Sequence, residues 1–216
     1  MSFMLLLCKL LLVWLLFLVS AGWAQEDRCL ALIEPVKKAS FRFLGGDFPW
    51  WYNVGVAEVE SNCKWVSSSL DGHGSAGYFQ LTPKFLDRLL RPYFPRYLEQ
   101  GHQDHFYAFA FYLSVLHKDN PSSKLWVTYQ RYNGGDWVLR ECKLAGSFDY
   151  DACKNACYRC KQMGGSKCRG YVCVWRVPSG CKQYRHACEI NYGYSVKVWK
   201  SGQDYRLGSD GKWIFW

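Results

Sequence analysis

Ten cysteines follow the N-terminal apolar run of this 216-residue chain, and eight of them crowd between residues 142 and 188: Cys142, Cys153, Cys157, Cys160, Cys168, Cys173, Cys181 and Cys188. With Cys29 and Cys63 the number is even, and an even set in an exported chain reads as a disulfide framework. Each bridge is worth about 2 to 4 kcal/mol, which suits a loop-rich region outside a reducing compartment. The competing use of clustered cysteines is zinc. Cys157 and Cys160 form a CxxC, but the next pair, Cys168 and Cys173, is spaced CxxxxC and no paired histidines follow. Disulfides are therefore the expectation, with the pairing left open.

Export is argued from residues 1–24. Leu5 to Val19 is apolar apart from Lys9, and SAGWA follows, placing Ala24 at a suitable cleavage position with small Gly22 two residues before it. A cleaved signal peptide and a mature chain from Gln25 are expected. A retained N-terminal anchor is the alternative, since the run is nearly long enough to span a bilayer. What remains has the length of one well-buried domain carrying an elaboration. Its balance is basic: the chain carries +9, and loss of Lys9 leaves +8. Such a balance favours polyanions, and export argues against nucleic acid and towards a cell-envelope polymer or surface.

The middle of the chain reads as helices joined by loops. In GGDFPWWYNVGVAEVES, Asp47 is the expected N-cap and Pro49 the first turn, with Trp50, Val54 and Ala57 at helical spacing and Glu60 near the C-terminal end. Thr82 and Pro83 open another short helix, broken by Pro92 and Pro95. His105 to Asn120 is apolar around most of its circumference, the pattern of a central buried helix. Ser122 or Ser123 is expected to cap a further helix that ends at Asn133 and Gly134, where positive φ is tolerated. Residues 189–206 read as a closing helix or an extended pair, and the tail SDGKWIFW as a small hairpin.

Three short motifs stand in order. Glu60-Ser61 is followed by Gly77-Tyr78-Phe79-Gln80, with Pro83 closing the loop, and then by Tyr132-Asn133-Gly134-Gly135. Together they resemble the ES, GLMQ and AYNAG signatures of the soluble lytic transglycosylases, from about Val54 to Gly135, with a fainter likeness over Asn191 to Arg206. The departures are Tyr78-Phe79 for Leu-Met, Arg131 for Ala, and the cysteine-rich segment. The resemblance implies a lysozyme-like fold that cuts peptidoglycan between N-acetylmuramic acid and N-acetylglucosamine.

Glycosidic cleavage needs a proton on the leaving oxygen, so a carboxyl must stay protonated near neutral pH. Glu60, with Val59, Trp65 and Phe79 as apolar neighbours, is the candidate; Glu58 is expected to face elsewhere. In the family that Glu60 resembles, one acid serves twice: it protonates the leaving oxygen, then takes the proton of the muramic 6-hydroxyl that closes onto C1. A hydrolase would instead use a second carboxylate. Asp71, six residues before Gly77, matches an aspartate that goose-type lysozymes carry at that offset, and hydrolysis with Asp71 orienting water is the alternative. Asp71-Gly72 also reads as a plain turn. As substrate-binding residues the resemblance implies Ser61, Gly77, Tyr78, Phe79, Gln80, Tyr132 and Asn133. Tyr132 is expected to reach Glu60 with its hydroxyl, and Ser61 to hydrogen-bond near the acid or cap the helix.

The expected architecture is mainly α, an α+β lysozyme-like single catalytic domain with a disulfide-rich insertion or extension: 1–24 signal peptide, 25–145 transglycosylase core, 146–216 cysteine-rich basic elaboration and closing segment. Lys154, Arg159, Lys161, Lys167, Arg169, Arg176, Lys182 and Arg185 stand among those cysteines, either as a wall-binding face or as solvated charges. No cofactor or metal is expected. The expected partner of this monomer is the peptidoglycan glycan strand, with no nucleic acid, membrane contact only through an uncleaved leader, and a periplasmic or cell-envelope location. A non-catalytic peptidoglycan-binding scaffold of a secretion or phage apparatus is the reading from a different class.

Overall fold

The computed structural model describes residues 28–68, 74–160 and 170–206. The expected signal peptide, Asp71, the stretch holding Lys161, Lys167, Cys168 and Arg169, and the expected C-terminal hairpin lie outside the described residues. Within them the chain is mainly helical: α1 Ile33–Leu44, α2 Trp51–Ser61, α3 Pro83–Leu90, α4 Gln103–Lys118, α5 Leu125–Gly134, α6 Trp137–Ala145, α7 Tyr150–Cys160, an antiparallel pair β1 Tyr171–Val177 and β2 Gly180–His186, and α8 Ala187–Asp204.

Helix α2 is surrounded. Trp51 through Ala57 are all buried, because α1 packs on one side and α8 crosses on another. The α2/α8 crossing is set by two glycines. A Cβ on Gly55 would lie 2.8 Å from Gly202 N and Val198 O, and one on Gly202 would lie 2.9 Å from Tyr52 Cα. Backbone meets backbone there, which is what lets α8 reach the end of α2. Polar groups enclosed by the packing are joined: Tyr129 on α5 donates to Asn53 Oδ1 at 2.8 Å, Asn53 donates to Ser40 Oγ at 2.9 Å, and Ser40 donates to Val36 O at 2.7 Å. That chain ties α1, α2 and α5 without an unpaired group along it.

The central buried helix is α4, as its composition predicts; His105 to Ala110 are all buried and Leu113 is fully enclosed. Several boundaries differ from expectation. Asp47 does not cap α2: the chain turns twice first, with Phe48 N bonding Gly45 O and Tyr52 N bonding Pro49 O, and the cap position is Trp50. Neither Ser122 nor Ser123 caps α5, which starts after Lys124; Ser122 Oγ accepts instead from Lys124 N. Asn133 and Gly134 remain helical, and Gly135 takes the positive φ, +66°, that ends the helix.

The cysteines among the described residues form bridges. Cys29–Cys63 ties the start of the described chain to the end of α2, Cys142–Cys153 joins α6 to α7, Cys157–Cys188 joins α7 to the start of α8, and Cys173–Cys181 spans the hairpin. Cys157 is thus paired with Cys188 rather than used as half of a CxxC zinc site. The segment after Cys142 is more ordered than its texture suggests, since it supplies two helices and a sheet. A second small core encloses Trp126, Val127, Val138, Tyr192 and the bridges of Cys142, Cys153, Cys157 and Cys188.

Candidate active site

The loop between α2 and α3 is built around a histidine. Ala76 and Leu81 exchange backbone hydrogen bonds, each 2.9 Å, which closes residues 76–81 into a tight turn, and Gly77 N donates to Val66 O at 2.7 Å. His105, on α4 and fully buried, is pressed against that turn. Its Nδ1–H donates to Tyr97 O at 2.8 Å and its Nε2 accepts from Tyr78 N at 3.0 Å. Burial holds the ring neutral, its pKa pulled down to about 4, and a neutral ring is what the second bond needs. Gly77 sits over the imidazole with φ +81°, and a Cβ there would lie 2.0 Å from His105 Cε1. Phe79 stacks on Phe109, ring centroids 3.8 Å apart. The three motif residues Gly77, Tyr78 and Phe79 therefore shape the loop from beneath.

Ser61 binds α2 to this loop. Its Oγ lies 2.9 Å from Ala57 O and 2.8 Å from Tyr78 O, and its single proton serves one carbonyl at a time. Gln80, at φ +52°, donates from Nε2 to Gly77 O at 2.8 Å and faces a cleft.

That cleft encloses about 570 Å³. Its walls are Glu60, Gln80, Tyr132, Asn133 and Gly135, joined by Ser75, Thr82, Phe85 and Leu86 from the loop and α3, and by Tyr112 and Arg131. Glu60 is its sole acid among the described lining residues. The carboxyl is wrapped by protein although part of the residue stays open to the cleft. Desolvation raises its pKa from 4.5 to about 7, against the lowering effect of a hydrogen bond from Tyr194.

Tyr194, on α8, is the residue that reaches the acid: its hydroxyl donates to Glu60 Oε1 at 2.6 Å. Tyr132 does not. Its hydroxyl donates to Phe79 O at 2.5 Å, so it braces the loop beside Glu60. The reason is geometric: Tyr132 projects from α5 towards α4 and the loop, with its ring 5.5 Å from that of Phe109, while α8 crosses at the end of α2. Asn133 donates from Nδ2 to Asn191 Oδ1 at 2.7 Å, linking α5 to α8, and remains exposed in the cleft. Arg131 is buried under the cleft floor, donating to Asp136 Oδ1 at 2.7 Å and Leu116 O at 2.5 Å. Glu58 faces away, accepting from Tyr205 at 2.8 Å and from Ser201.

The structure thus brings together Glu60, Gln80, Tyr132 and Asn133 in one cleft and places Ser61, Gly77, Tyr78 and Phe79 in its support. Asp71 lies outside the described residues. Sequence reasoning missed Tyr194 and His105. The signal for His105 was present, as an imidazole just before the apolar run of its helix; for Tyr194 only the faint likeness of the closing helix pointed there. Among the described residues a metal has one grouping to consider: Glu141, Cys157 and Cys188 converge, but the two sulfurs bond each other and offer no thiolate. Comparison of the chain with protein-family models, with curated proteins and with solved structures finds no match in any of the three.

Proposed function

We propose that this chain is a peptidoglycan lytic transglycosylase of lysozyme-like fold, exported to the cell envelope, with Glu60 as its general acid and base. The observation that carries the reading is a carboxyl whose pKa lies near 7, in the wall of a cleft that offers no other acid among its described residues. A group poised there holds its proton often enough to give it and is basic enough to take one back. Both halves of the single-acid reaction ask for that.

In the first step Glu60 protonates the glycosidic oxygen as the bond from the muramic C1 breaks. Tyr194 occupies Oε1, which leaves the other oxygen to carry the transferred proton. The carboxylate so formed is steadied by the same Tyr194 hydrogen bond. In the second step it removes the proton of the muramic 6-hydroxyl, whose oxygen closes onto C1 to give the 1,6-anhydro ring, and Glu60 is protonated again. Gln80 and Asn133 present amides to the sugar in the cleft, where acetamido groups offer both donor and acceptor. Phe85, two-thirds exposed on α3 at the cleft wall, offers an apolar face to a pyranose ring.

The deciding experiment is mass spectrometry of the fragments that the oxidised protein releases from purified peptidoglycan, with Glu60→Gln beside it. Fragments ending in 1,6-anhydromuramic acid, lighter by one water and absent with the variant, are the expected result. Reducing ends would mean hydrolysis and move attention to Asp71; wall binding without fragments would make the chain a scaffold.

A further inference from the structure

We propose that the disulfide-closed hairpin of β1 and β2, with the adjoining end of α7, docks this protein on an anionic phospholipid bilayer. The charge of the chain is segregated. From Ala152 to Cys188 there are eight Lys and Arg and no Asp or Glu. Of the 27 basic residues in the whole chain, one is Lys9 in the leader and eight are here; the remaining 18 equal the 18 acids, so this stretch carries the entire net charge of the exported chain. A solvated surface has no need of such a concentration, whereas an anionic surface attracts each cation by about fivefold in affinity, within a Debye length of roughly 10 Å at 0.1 M salt.

Cations alone would suit any polyanion. What selects a bilayer is the apolar surface beside them. Tyr171 is 62% exposed and Tyr184 61%, while Val172 and Val174 keep 43% and 42% of their surface in water. They lie on both faces of the hairpin: the register pairs Tyr171 with His186 and Cys173 with Tyr184, so the two tyrosines share one face, and Val172 pairs with Arg185 on the other. A polymer strand would cover one face. A lipid interface surrounds both, taking tyrosine and valine among its headgroups while Lys182 and Arg159, both exposed, meet phosphate; Arg185 is paired with Glu189 on α8. Each strand of a two-stranded sheet has one edge outside the shared ladder, and backbone there needs water or protein partners, which confines entry to the headgroup level.

The hairpin is held for this use. Cys173–Cys181 closes it, and Tyr158 on α7 and Tyr171 both pack on His186 at its base, ring centroids 5.3 and 5.2 Å away. Helix α8, which follows β2 directly, also packs against it. None of these residues lines the cleft, so docking leaves Glu60 open and stands or falls independently of the reaction at that site.

The test is sedimentation of the oxidised exported chain, residues 25–216, which retains every described residue, with vesicles of phosphatidylcholine alone or containing one-quarter phosphatidylglycerol, at 0.1 M salt. Preference for the anionic vesicles by at least tenfold is expected. Lys182→Gln with Arg159→Gln should weaken it about 20- to 30-fold, two cations at about fivefold each. Val172→Ser with Val174→Ser should weaken it severalfold at unchanged charge. These side chains are exposed, and unchanged disulfide mapping and circular dichroism verify the fold of each variant. Equal sedimentation with both vesicle types overturns the proposal. Anionic binding that ignores the valine substitutions and is displaced by soluble polyglutamate at matched charge also overturns it, in favour of a general polyanion surface.

Discussion

Tyr194 and Glu60 stand 134 residues apart in the chain, and the hydroxyl of one lies 2.6 Å from the carboxyl of the other. The pair fixes how acidic Glu60 is: burial pushes its pKa up, and the hydrogen bond, which favours the charged form, holds it back at about 7. Without the bond the carboxyl would keep its proton to higher pH.

Tyr194→Phe tests this directly. Removing the hydroxyl takes away stabilisation of the carboxylate, so the Glu60 pKa rises and the alkaline limb of kcat/KM, where the acid loses its proton, moves up by about one pH unit. The maximal rate falls, because the second step needs the carboxylate that Tyr194 steadies. An alkaline limb that stays in place would remove Tyr194 from the role of positioning Glu60.

Glu60→Gln is expected to lower activity by at least ~10²-fold, the usual worth of a general acid. Its effect on stability runs the other way and depends on pH. The folded pKa of about 7 lies above the ordinary 4.5, so the native state resists ionisation. The resulting loss of stability is absent below pH 4.5, grows as pH rises towards 7, and is complete above it, at most about 3 kcal/mol. The variant should therefore match the parent at pH 4 and exceed it at pH 8 in urea denaturation. His105 slopes oppositely, since its folded pKa of about 4 lies below 6.5 and stability is lost as pH falls between them. The difference between the two proteins, rather than either curve, isolates Glu60.

Gly77→Ala should unfold the cleft loop from below. A side chain at φ +81° is strained, and its Cβ would overlap the imidazole of His105, which is fixed at both nitrogens. Destabilisation of about 2 to 4 kcal/mol is expected, with a still larger fractional loss of activity. Thermal melting and turnover of the one variant decide it; a melting temperature within a degree of the parent would show that the loop yields freely.

Local features of the chain announced much of this arrangement. The apolar sweep from His105 marked the buried helix, Thr82-Pro83 marked the start of α3, and Glu60, Gln80 and Asn133 were named from short motifs because each lies at a helix end or in a tight loop, where spacing along the chain limits position in space. Residues whose role comes from packing were not legible. Tyr132 and Tyr194 are both helix tyrosines, and which one meets Glu60 depends on where α8 crosses α2, a matter settled by Gly55 and Gly202. Likewise the even cysteine count indicated bridges, while their pairing follows from helices α6 and α7, which the cysteine-laced texture concealed.

That crossing supplies the last expectation. Gly55→Ala places a methyl 2.8 Å from two backbone atoms of α8, Gly202 N and Val198 O, which cannot rotate aside as a side chain would. The helices must separate by several tenths of an ångström, at about 1 to 3 kcal/mol for the overpacking. Tyr194 lies one helical turn before Val198, so the separation also lengthens its bond to Glu60. The variant should then show the same upward move of the alkaline limb as Tyr194→Phe, although the atoms its methyl meets first belong to Val198 and Gly202. Combining the two substitutions should move the limb no further than Tyr194→Phe alone, because the bond can be lost only once. An additive move would mean that Gly55 acts on Glu60 by some other route than the placement of α8.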